Sequence, residues 1–311
     1  MKYRFLTLLL AGGFAVWGIL PWQTGQVTGH PAGGFRKAFG YPGSFFNLDQ
    51  PAAKPLMVYH GGPLMLGTNS LYIIYYGAFG SGQNATVTII NDFFSNIGGS
   101  GNYNVNTTYY DSNDNHIINS LSFSPLNNTY IDHYSIGKKI GGKGIERIVQ
   151  AALAGGHLPV ETSAIYFVVT APDVTGPEIG GGTCAFHASS SKLAAGVTII
   201  YSAIPDFGGK QLNACDGNVQ IFNETNSPNN NLGADDALDS FMHELSESVT
   251  DPLGNAWWGP KGEVGDICNF NYGTTYIAPN GTHANTHLGT RDYLVQTIWE
   301  NTGAGFCANS L

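Results

Sequence analysis

Ala164-Ile165-Tyr166-Phe167-Val168-Val169-Thr170 carries no charge and is apolar or aromatic at every position but the last. A run of this length and kind has no polar face to offer water, so it reads as a strand covered on both sides. Just upstream, Ile145, Ile148, Val149 and Leu153 recur at helical spacing, which predicts an amphipathic helix from Gly144 to Leu153. Further upstream, Leu71-Tyr72-Ile73-Ile74-Tyr75-Tyr76 repeats the buried-strand signature, after a short strand Met57-Val58-Tyr59 and the turn-forming His60-Gly61-Gly62-Pro63. Strand, helix and strand in alternation imply crossover connections and parallel pairing. The expected class is α/β, with a mixed, mostly parallel central sheet and flanking helices.

Working outward, a helix is expected from Val87 to Ile97 and strands at Thr107 to Tyr110, Tyr130 to Ser135, Cys184 to Ala188 and Val197 to Tyr201. After the polar run Asn229-Asn230-Asn231, a helix from Asp235 to Thr250 is stopped by Pro252 and Gly254. A last strand is expected at Tyr293 to Trp299, and no internal repeat is visible.

Lys2 and Arg4 precede an apolar run from Phe5 to Leu20, shorter than the ~20 residues a spanning helix needs. Residues 1–24 therefore read as a secretory signal peptide, 25–55 as a linker or N-terminal arm, and 56–311 as one domain, long enough to bury a sizeable core. Only 11% of the 311 residues are charged and the formal net charge is -9. That balance argues against nucleic acid and anionic membranes as partners and suits an extracellular protein. The four cysteines form no CxxC pair. Of three possible connectivities, Cys184 with Cys215 and Cys268 with Cys307 are favoured because each closes a local loop. Sequons at Asn84, Asn106, Asn127, Asn223 and Asn280 are expected at the surface as glycosylation sites.

On a helical wheel, Leu238, Phe241, Met242, Leu245 and Val249 form a core-facing stripe, and His243, Glu247 and Asp251 fall opposite. Side chains at i and i+4 project together, so His243 and Glu247 can reach one metal while Glu244 takes a proton from metal-bound water. The loop Glu263-Val264-Gly265-Asp266-Ile267-Cys268 offers the third ligand, with Asp266 first, Glu263 and Asp251 as alternates. Zinc suits the imidazole, and calcium is the alternative for so many carboxylates. The plain alternative is a polar helix face turned to water. His187 is read as a packed or hydrogen-bonded histidine beside Cys184, with a catalytic place lining the cleft as the alternative, and His283 and His287 as loop residues.

Tyr59-His60-Gly61-Gly62-Pro63 with Leu71 to Gly77, Ala164 to Thr170 with Asp173-Val174-Thr175, and Cys184-Ala185-Phe186-His187 resemble the plant EXORDIUM, or phosphate-induced protein, family. The stretch His243 to Pro252, followed by Trp257, Trp258 and Glu263 to Cys268, is similar to microbial and fungal relatives with HExxE-x-x-TDP. The resemblance implies a zincin-like domain and a secreted zinc metallopeptidase-like hydrolase acting on peptide or extracellular matrix. The rival expectation is a non-catalytic matrix or cell-wall protein that binds glycans or proteins, as the plant members' growth and wall roles imply. The sequence sets no oligomeric state.

Overall fold

The computed structural model describes residues 56–80, 85–179, 183–205 and 215–311, together with the backbone of 36–40. The expected signal peptide and Asn84 lie outside the described residues, as does all of the 25–55 arm except its short strand. That strand, β1 (Arg36–Gly40), is followed by β2 (Val58–Tyr59), β3 (Asn69–Tyr76), β4 (Leu121–Ser122), β5 (Thr129–Asp132), β6 (Ala164–Thr170), β7 (Thr183–Ala194), β8 (Val197–Pro205) and β9 (Trp257–Trp258).

The apolar run Ala164–Thr170 is β6, buried at every residue, and it lies parallel between β3 and β8. β4 and β5 add to the far side of β3, also in parallel. The β7–β8 hairpin turns at Ala195-Gly196, where Gly196 takes the left-handed conformation (φ 75°) that a tight turn needs. β7 therefore runs antiparallel to β8, and β1 runs antiparallel to β7 with Lys37 opposite His187. The sheet is mixed, and the remaining pairs, β2 with β9 among them, are small antiparallel ribbons.

The crossover helix Gly144–Ala154 buries Ile145, Ile148, Val149 and Leu153, as its spacing required. The helix Ala85–Ile97 lies against the long helix Leu232–Thr250. Phe94, Phe167 and Phe241 join both helices to β6, with Phe241 ring centroids 4.6 Å from Phe94 and 5.0 Å from Phe167. Truncating such a buried aromatic typically costs 3–5 kcal/mol.

Two expected strands differ. Thr107 to Tyr110 begins as a 3₁₀ turn (Val105–Thr108), because the Thr107 and Thr108 hydroxyls donate back to Asn104 O and Val105 O and satisfy the backbone locally. Tyr293 to Trp299 splits between Arg291–Tyr293 and Ile298–Glu300, which pair with different short strands.

Both favoured disulfides are formed, Cys184 with Cys215 and Cys268 with Cys307. Among the described residues no helix is long and apolar enough to cross a membrane. Asn127, Asn223 and Asn280 are exposed, but Asn106 is fully buried in the 3₁₀ turn, so the surface expectation fails there.

Candidate metal centre

The helix Leu232–Thr250 starts three residues earlier than expected, where the Asn231 side chain accepts the Ala234 N–H at 3.2 Å. From Gly233 onward every residue of it is buried. The wheel's apolar stripe packs inward as read, but the polar face does not meet water. The C-terminal segment covers it: Asp239 receives Tyr272 O–H at 2.8 Å and Gln296 N–H at 2.5 Å, and His243 meets Gln296 and Asp266. The water-facing alternative is therefore corrected, because non-local packing rather than helix periodicity decides what covers that face.

His243 Nε2 lies 3.0 Å from Glu247 Oε1 and 3.9 Å from Asp266 Oδ1. Asp266 donates its backbone N–H to Glu247 Oε1 at 3.2 Å, which ties the loop to the helix. The loop can approach because Gly265 lies against the imidazole: a Cβ there would stand 2.8 Å from His243 Cγ and Nδ1. Trp299 N–H bonds Val264 O, and the Cys268 disulfide closes the far end of the loop.

The tautomer of His243 follows from its other contact. Gln296 Nε2 donates to Gly265 O at 3.0 Å, so Gln296 Oε1 is the acceptor that His243 Nδ1–H meets at 3.1 Å. A neutral His243 then turns the Nε2 lone pair on the Glu247 and Asp266 oxygens, which is repulsive unless a proton or a cation lies between them. Burial pushes the His243 imidazole down, but Glu247, Glu244 and Asp266 outweigh it and raise its pKa to about 10. The surroundings thus favour positive charge at this point.

His187, expected chiefly as a packed histidine, joins the cluster. His187, on β7, places Nδ1 3.0 Å from Glu244 Oε2 and 3.4 Å from Glu247 Oε2, and Nε2 3.7 Å from Glu263 Oε1. Burial pushes this imidazole down as well, and Glu263, Glu244 and Glu247 together hold it well above its usual range. Glu244 is fully buried and its carboxyl is pushed up, chiefly by that burial. Its Oε1 has no hydrogen-bond partner among the described residues.

Of the expected ligands, His243, Glu247 and Asp266 meet. Glu263 faces His187, and Asp251, at the helix end, accepts Ala256 N–H at 2.6 Å and contacts Glu263. The signal that marks His187 is its place in the buried strand Cys184-Ala185-Phe186-His187-Ala188, where an ionisable ring needs partners. Gln296 carries no such local signal. His283 and His287 are taken up elsewhere, by Glu224 and Asp292.

Fold and centre together define a disulfide-bonded mixed α/β protein with histidines and carboxylates gathered in its interior. The chain belongs to the phosphate-induced protein family: residues 57–308 match the family model described as the phosphate-induced protein 1 conserved region. Protein EXORDIUM-like 3 of Arabidopsis thaliana is 26% identical, covering 78% of this chain and 80% of its own length. Protein PHOSPHATE-INDUCED 1 of Nicotiana tabacum is 27% identical, over 68% of this chain and 70% of its own. No solved structure matches the chain.

Proposed function

We propose that this chain is a secreted, zinc-dependent, metallopeptidase-like hydrolase of zincin-like architecture, with His243, Glu247 and Asp266 as the zinc ligands and Glu244 as the proton acceptor. The observation that carries the reading is the Gln296 clamp on His243 Nδ1, which aims the Nε2 lone pair at two carboxylates. Ligating histidines are held in this way by an acceptor behind the ring. The donor atoms of the three residues lie within 4.8 Å of one another. The spacings of 3.0 and 3.9 Å from His243 Nε2 bracket the roughly 3.4 Å edge of a tetrahedron with ~2.1 Å bonds. The residues present therefore fit zinc, and the imidazole disfavours calcium, which prefers an all-oxygen shell. The disulfides, the sparse charge and the basic-then-apolar N-terminus support secretion.

A zinc ion in such a set lowers the pKa of a bound water to about 7 and polarises a carbonyl. The protein's own part is to hold the proton acceptor in place. His187 meets Glu244 at Oε2, which leaves Oε1, buried and without a hydrogen-bond partner among the described residues, as the oxygen that takes the proton. The Asp266 side chain retains 20% exposure and marks the solvent side of the cluster.

The test is hydrolysis of a fluorogenic peptide library by the purified glycoprotein. The expected result is cleavage that stops on chelation and returns with zinc. Glu244→Gln should abolish cleavage while the ion at His243 stays bound, and His243→Ala should lose that ion. Cleavage that survives chelation, or full activity in Glu244→Gln, overturns the reading. Wild-type protein that binds zinc and cleaves no peptide favours the non-catalytic matrix role.

A further inference from the structure

We propose that the centre holds two divalent cations, the second bound by His187, Glu244 and Glu247, with Glu247 bridging the pair. The inference rests on the zinc site proposed above and extends it. Glu247 divides its oxygens between two imidazoles that come from different elements: Oε1 faces His243 on the same helix, and Oε2 faces His187 on β7. The result is two donor sets of one nitrogen and two carboxylate oxygens, each with its donor atoms within 4.8 Å, sharing one residue.

The second set repeats the donor spacing of the first. His187 Nδ1 stands 3.0 and 3.4 Å from its two carboxylate oxygens, again around the edge length of a zinc tetrahedron. Behind the ring, Nε2 faces the Glu263 carboxylate at 3.7 Å, beyond hydrogen-bond reach, so Glu263 acts on this ring through its charge rather than as a clamp like Gln296. Glu244 Oε2 points into this set and Oε1 has no hydrogen bond among the described residues, so the second ion takes one oxygen and leaves the other as proton acceptor.

Charge favours two ions over one. Glu244, Glu247, Asp251, Glu263 and Asp266 bring five carboxylates together around two imidazoles, and all but Asp266 are essentially without solvent contact. The five carboxylates, when ionised, exceed the charge of one divalent ion even with His187 protonated, and a second divalent ion in place of that proton reduces the excess. Charge buried without compensation is expensive, and partners that cancel it are correspondingly favoured. An imidazole in each set selects the zinc class of transition cation rather than calcium.

The experiment is metal counting on the full-length glycoprotein purified without chelator, followed by zinc titration of the chelator-stripped protein against a chromophoric competitor. Two ions per wild-type chain are expected, filling in two resolved steps, and one ion in His187→Ala. One ion in wild type, unchanged in His187→Ala, overturns the second site and leaves the mononuclear site standing. Two ions in His187→Ala overturn the assignment to His187, and no ion in wild type overturns both sites. If His187→Ala fails to fold, the number of steps in the wild-type titration decides alone.

Discussion

Replacing Gly265 by Ala gives two opposed expectations from backbone and from site. Gly265 sits at φ -77° and ψ -42°, a conformation alanine adopts readily, so on backbone entropy alone the change should stabilise by about 0.4–1 kcal/mol. The added Cβ, however, would stand 2.8 Å from His243 Cγ and Nδ1 and 2.9 Å from Cδ2. Ordinary contact begins near 3.4 Å, so the ring must retreat by about 0.6 Å. It has nowhere to go: His243 is fully buried, held by Gln296 at 3.1 Å on one nitrogen and Glu247 at 3.0 Å on the other. Overpacking of this kind costs about 1–3 kcal/mol, which outweighs the backbone gain. Disturbing the support of a ligating histidine lowers metal affinity about 10–100-fold, or about 1.4–2.8 kcal/mol. Urea unfolding with the disulfides intact and zinc competition read the two effects separately. Gly141→Ala, where an added Cβ meets nothing within 4 Å, is the control and should change neither. A Gly265→Ala protein as stable as wild type, with unchanged zinc affinity, would refute the packing of this loop on His243.

Burial raises the Asp216 carboxyl to a pKa of about 7 from the model-compound 3.8, so between these values the folded state binds a proton that the unfolded state does not. Stability from this residue is greatest below the unfolded value and is lost as pH rises through 7, with a slope of at most about 1.4 kcal/mol per pH unit. Asp216→Asn keeps the acceptor for Val219 N–H and should flatten the unfolding free energy between pH 4 and 7; an unchanged slope refutes the assignment. Replacing Cys268 and Cys307 together by Ser removes a crosslink between residues 39 apart. That should lower stability by about 2–4 kcal/mol and weaken zinc binding through Asp266, and an unchanged urea midpoint speaks against it. Glycopeptide mapping should find sugar at Asn127, Asn223 and Asn280 and none at buried Asn106; an occupied Asn106 contradicts the packing of its turn.

The parts legible in the sequence are those set by local pattern. The apolar run Ala164 to Thr170, the helical recurrence from Ile145 to Leu153 and the local loops between cysteines each carry their own signal, and each takes the expected form. The pairing of His243 with Glu247 follows from i,i+4 geometry. The rest depends on which distant segments meet. A wheel separates the two faces of the helix but does not say that residues near Asp266, Tyr272 and Gln296 cover the polar one. His187 is 57 residues from Glu244, and the hairpin that turns β7 antiparallel brings it in. The strand signatures at Cys184 to Ala188 and Val197 to Tyr201 do not state the direction of their pairing.

The proposed hydrolysis requires a zinc ion between His243, Glu247 and Asp266. Anomalous diffraction at the zinc absorption edge, from crystals of the native protein grown without chelator, tests this. A zinc-specific peak about 2.0–2.2 Å from His243 Nε2, Glu247 Oε1 and an Asp266 oxygen is the predicted result. Continuous protein density with no anomalous peak there, and His243 hydrogen-bonded directly to Glu247, would contradict it.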